Sequence, residues 1–226
     1  MQNHSTKTGL PSAAPAAAAI SIPTLLFRVA WMSICLGLVM QLLTMTVGGL
    51  FGGKLAAISQ FLAELSGKVT WSSIVCSGVA LGAAAAKANR AWAGIAGVFA
   101  APAAFVAAKA VQKGIGAAGG VPPQPDPSVL LQATVIVLKA AQYGALGLAV
   151  VWIARQRWGG LGAHIGVGLA TGVLFGSAII GVTYANTTPA MALPRIAAQT
   201  VNELVFPIGC ALVLYAAGRM GERIRA

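Results

Sequence analysis

The chain has 226 residues, of which 58% are hydrophobic and only 8% are charged. A water-soluble domain usually carries about a quarter of its residues as charges, so the composition excludes one. The net charge of +11 does not point to nucleic acid, because the fifteen Lys and Arg form no dense basic run and instead punctuate the ends of apolar blocks, where membrane insertion and anionic headgroups favour them.

These blocks are about twenty residues long, enough to cross a hydrocarbon core of ~30 Å at ~1.5 Å per residue. Residues 1–22 come first, rich in Ala, Pro and Ser with Lys7 the only charge, and read as a disordered cytoplasmic tail. The block after them has no small-x-small cleavage site and is expected to stay in the protein as a helix. Six spans are predicted: 28–51, 69–86, 91–111, 129–154, 161–182 and 196–217. Between the first two, Leu55, Ile58, Leu62 and Leu65 recur at helical spacing with Lys54, Gln60 and Glu64 elsewhere on the wheel. That pattern predicts a separate helix over 54–68, lying in the headgroup plane. Residues 114–128 hold glycines and then alternate prolines, which sustain neither a helix nor a ladder. They form an outer linker between a first three-helix half, 23–113, and a second, 129–219; residues 220–226 are a basic cytoplasmic tail.

The fold class expected is thus an all-α polytopic membrane protein with six transmembrane helices and both termini cytoplasmic. Nine basic residues then fall on the inner side (Lys7, Arg28, Lys87, Arg90, Arg155, Arg157, Arg219, Arg223 and Arg225) against five outside (Lys54, Lys68, Lys109, Lys113 and Arg195), the positive-inside bias. Trp31, Trp71, Trp92, Trp152, Trp158, Tyr184 and Tyr215 fall near span ends, as an interfacial belt would. The third span of each half carries a proline, Pro102 or Pro207, and the second of each is glycine-rich. Halves of three spans would be inverted relative to each other, a plan shared with many secondary transporters.

Gly78 and Gly82, Gly162 and Gly166, and the series Gly168, Gly172 and Gly176 recur at four-residue spacing. Such stripes let helix backbones approach and gain dispersion contacts that lipid does not match, so all seven are candidates for helix packing.

Lys139 lies about ten residues into the fourth span, roughly 15 Å deep, where an unpaired charge costs somewhere between about 3 and 15 kcal/mol. Glu203, about eight residues into the sixth, is at similar depth and is its expected partner. Gln132, Lys139 and Tyr143 share one face of the fourth span with Gln142 beside them, and Gln199 and Glu203 share a face of the sixth with Asn202 adjacent. Gln41 is at mid-depth in the first. These faces should turn inward. Lys139 and Glu203 read either as a buried pair that fixes helix register or as part of a hydrated site or path. Pro207, four residues after Glu203, frees a carbonyl beside it and favours the second reading.

The other side chains point to less. Cys35, Cys76 and Cys210 share no metal-ligand spacing and read as small buried hydrophobes. His164 reads as an interfacial histidine facing a headgroup, and Arg28 and Lys109 as residues that snorkel. The four acidic residues, Glu64, Asp126, Glu203 and Glu222, stand in different segments with only Glu203 expected inside, and no phosphate loop, nucleophile elbow or histidine pair is present. No enzyme, cofactor or metal site is expected. The sequence therefore suggests a small inner-membrane transport protein whose site lies between the fourth and sixth spans. Its runner-up is a non-catalytic accessory or assembly subunit of a larger membrane complex. The expected partners are the lipid bilayer and further copies or other membrane subunits.

Overall fold

A computed structural model describes residues 21–53, 57–86, 89–123, 125–187 and 191–223, with the backbone alone for 220–223. The expected tail 1–22 lies almost wholly outside the described residues, as do Lys7, Lys54, Leu55 and Lys87 and the side chains of 220–226. The described residues form helices and the turns between them. In chain order these are α1 (Ile22–Leu50), α2 (Ile58–Ala85), α3 (Ala91–Ala118) and α4 (Val129–Ile153). A fifth stretch consists of α5 (Leu161–Thr171), a π turn (Gly172–Gly176) and α6 (Ser177–Ala185), and α7 (Leu193–Arg223) closes the chain.

Six helical stretches of 25 to 29 residues are long and apolar enough to cross a membrane, the plan of a multi-pass membrane protein. In oil every backbone N–H and C=O needs an internal partner, and a helix supplies one for nearly all of them within a single segment. Starts and stops are local. Ser21 caps α1 by accepting from the Thr24 amide, and Ser128 caps α4 by accepting from that of Leu131. Gly52 and Gly120, at φ of 86° and 72°, turn the chain out of α1 and α3. The outer surface is apolar, with Phe27 77% and Phe99 71% exposed, whereas Gln41, Lys139, Gln142 and Glu203 are buried. Polarity faces inward.

Residues 58–68 differ from expectation. They do not form a separate helix but are the first three turns of α2, which runs unbroken for 28 residues. Their polar groups escaped a hydropathy reading because they bond to α1 rather than to headgroups. Trp71, expected in the interfacial belt, is half-buried between helices, while Trp31, Trp92, Trp152 and Trp158 are exposed. His164 is also inside: its Nδ1 lies 3.0 Å from the Gly160 carbonyl and its ring 4.9 Å from that of Tyr215. Cys35 is exposed, whereas Cys76 and Cys210 are buried with their Sγ atoms 3.3 Å apart.

In the bundle α2 packs between α1 and α3, α3 against α4, and α7 between α1 and the fifth stretch. Glycine makes these contacts close. A Cβ on Gly82 would stand 2.6 Å from that of Ala96 on α3, and one on Gly78 would collide with Ala100. On the fifth stretch, Cβ atoms at Gly168, Gly172 and Gly176 would come within 2.5 to 3.0 Å of α7 backbone at Ile208, Leu204 and Glu203. By contrast, Gly162 and Gly166 have nothing within 4 Å of an added Cβ; they lie on a face that no helix covers. The tightest approaches between helices are ones the spacing did not single out: Gly97 of α3 sits directly on the Tyr143 carbonyl of α4, and Gly147 on that of Ala93. Neither belongs to a four-residue glycine series, and each meets a carbonyl of the facing helix, so a search at that spacing does not expose them.

Candidate functional site

Between α1, α2, α3, α4 and α7 lies a cavity of about 400 Å³, at the end of the bundle where α1 and α3 finish and α2, α4 and α7 begin. Lys139 and Glu203 form part of its wall. They are 8% and 5% exposed, and Lys139 Nζ donates to both carboxylate oxygens, at 2.9 Å to Oε1 and 2.7 Å to Oε2. Each charge is thus met by its opposite, which is what makes burial of either affordable in a low dielectric. The ammonium also sits 5.0 Å from the centre of the Trp71 ring, a cation–π contact.

Trp71, Tyr143 and Phe206 make a triangle of edge-to-face rings with centroids 5.8 to 6.3 Å apart. Trp71 and Phe206 line the cavity; Tyr143 is 1% exposed and lies behind them. Cys76 and Cys210 follow one helical turn or so further along α2 and α7. The aromatic triangle therefore closes the cavity on the side facing the middle of the bundle.

A second polar network reaches the same cavity through Thr44, Glu64 and Lys68. Lys68 Nζ donates to Gln41 Oε1 at 2.7 Å and to Thr44 Oγ1 at 2.6 Å. The amide of the same Gln41 donates to Glu64 Oε2 at 3.2 Å, and Gln60 donates to Glu64 Oε1 at 3.0 Å. Glu64, Lys68 and Trp71 recur at four and three residues on α2, one face of a helix. That spacing, with Gln41 at mid-depth on α1, is the signal that could have found them. Gln199 and Asn202 line the cavity from α7, joined by Arg195 near its mouth and Gln112 from α3.

Besides Tyr143, which lies behind the wall, two expected members are outside the cavity. Gln132 belongs to a separate group at the bundle end: its Oε1 accepts from Lys109 Nζ at 2.8 Å and its amide donates to the Pro127 carbonyl. Although Gln132 shares a face of α4 with Lys139, seven residues carry it about 10 Å along the axis. Lys109 in turn does not simply snorkel, for it and Lys113 both hold Asp126, at 2.9 and 2.6 Å. Bonds from Lys113 first and Lys109 second keep the Asp126 carboxyl below the usual carboxylate range, at about 2. Gln142 is fully buried, outside the cavity wall, and neither its amide nitrogen nor its oxygen has a hydrogen-bond partner among the described residues.

No three His, Cys, Asp or Glu side chains among the described residues converge as metal ligands would. No protein-family model matches the chain, and neither does any curated protein or solved structure.

Proposed function

We propose that the protein is a small transport protein of an inner membrane, moving a small solute or ion through the cavity bounded by α1, α2, α3, α4 and α7. One observation carries the reading: the most deeply buried ion pair among the described residues, Lys139 with Glu203, forms part of the wall of a cavity that Glu64, Lys68, Gln112, Gln199 and Asn202 also line. A pair that serves only helix register has no need of a cavity beside it, whereas intramembrane ionisable groups commonly mark substrate or ion paths. Pro207, inside α7 four residues beyond Glu203, leaves that helix a place to bend. Both halves of the chain also share a plan, a glycine-bearing second span against a proline-bearing third, which suits the two-repeat design of many transporters.

Purified protein in sealed vesicles should carry out uptake or ion flux that Glu203→Gln abolishes while the variant still accumulates and remains monodisperse. Flux that persists unchanged in the variant would reduce the pair to a register device and favour an accessory or assembly subunit instead.

A further inference from the structure

We infer that the cavity takes a small free anion, of the size of an inorganic oxyanion or a short-chain carboxylate; this rests on the transport reading above and names its substrate class. Five ionisable side chains line the cavity: Lys68, Lys139, Arg195, Glu64 and Glu203. Three cations against two carboxylates leave an excess of +1, and the pairing decides where that excess lies. Lys139 and Glu203 cancel, with both carboxylate oxygens engaged. Glu64 accepts an amide N–H on each oxygen, from Gln41 and Gln60, so part of its acceptor capacity is taken up within the protein. Lys68 donates only to uncharged oxygens, those of Gln41 and Thr44, and an ammonium has a third hydrogen to give. Arg195 forms no ion pair among the described residues. The positive groups are thus the ones left with unused donors.

The neutral groups are compatible with the same ligand. Gln112, Gln199 and Asn202 line the cavity, and none makes a side-chain hydrogen bond among the described residues. Each amide has an acceptor oxygen as well as two N–H donors, so it adapts to either sign of charge. The charge preference comes from Lys68 and Arg195, beside which the amide N–H groups can add hydrogen bonds to acceptor oxygens of one ligand. A volume of about 400 Å³ is at the small end of ligand pockets.

The charge preference is measurable without knowing the solute. The full chain is placed in phosphatidylcholine nanodiscs with Trp31, Trp92, Trp152 and Trp158 changed to Phe, so that Trp71 in the cavity wall reports alone. After normalisation to free tryptophan amide, iodide is expected to quench Trp71 with a constant roughly fivefold or more that of caesium at equal ionic strength. Lys68→Gln should bring the ratio close to one, and inorganic phosphate or succinate should protect Trp71 from iodide. Equal or stronger quenching by caesium, or no protection by either anion, overturns the anion assignment and leaves the transport reading standing. If neutral acrylamide does not reach Trp71, the cavity is not open to solute and the transport reading falls as well. Should the four-fold variant fail to fold, the difference in quenching between the wild-type protein and Trp71→Phe yields the same ratio.

Discussion

Two lysine–carboxylate clusters stand side by side in this bundle and obey different physics. Lys139 and Glu203 have side chains 10% and 6% exposed, whereas Lys109, Lys113 and Asp126 are 29%, 54% and 48% exposed. The distances are alike, between 2.6 and 2.9 Å. Distance therefore says little about what either cluster does. In the first, desolvation makes each charge dependent on the other; in the second, water screens both partners and the link between α3 and the loop before α4 is weak.

The sharpest way to break the contrast is to remove one partner. Lys139→Met should strand Glu203 and destabilise the protein by about 3–5 kcal/mol, read as thermal unfolding in mild detergent. Replacing both, Lys139→Met with Glu203→Leu, should restore most of that stability and none of the flux, separating holding from transporting. A cost of less than about 1 kcal/mol for the single variant would mean that the pair is hydrated like the exposed one.

A smaller effect tests the same distinction between closed and open contacts in a residue without charge. Gly172→Leu drives a side chain into the Leu204 carbonyl of α7, 2.6 Å from an added Cβ, and should cost about 1–3 kcal/mol. Gly166→Leu, with nothing within 4 Å, should stay within about 0.5 kcal/mol of the wild type. Equal effects at the two positions would show that the seam does not set the cost, since helix propensity alone favours Leu over Gly at both.

The least effect is expected at Asp126. Its folded-state pKa is depressed to about 2, below the ~3.9 of an unfolded chain, so what it contributes is present above about pH 4 and lost as pH falls toward 2. Asp126→Asn should abolish only a shallow change in unfolding temperature in that window. A high-salt buffer should do the same at neutral pH while leaving the Lys139–Glu203 pair untouched.

Much of this bundle could be read from the chain. Hydropathy gave six spans because oil demands long apolar helices. Depth along the axis matched Lys139 with Glu203, since both had to find a partner at one level. What hydropathy hid was α2. Lys68, Glu64 and Gln60 lower the average of its first turns, and an average does not tell a polar stripe facing lipid headgroups from one facing Gln41 and Thr44. Gln132 went astray for the opposite reason: helical phase was right, but height along the helix was ignored. Arg195 and Gln112 had no signal of their own, because only packing brings the end of α3 opposite the first turn of α7.

The π turn on the fifth stretch has a mechanical meaning. Over four residues an α-helix overshoots one full turn by about 40°, so a glycine series at that spacing drifts off any straight seam; a wider turn undershoots and steers it back. Gly176 is thereby returned to the backbone of Glu203, where an added Cβ would stand 3.0 Å from the carbonyl oxygen. The stretch of α7 that carries the Glu203 carboxylate is consequently braced from behind by a neighbour with no side chain to yield, so a twist or slide of that neighbour would bear first on the residue that grips Lys139, as a lever bears on its load.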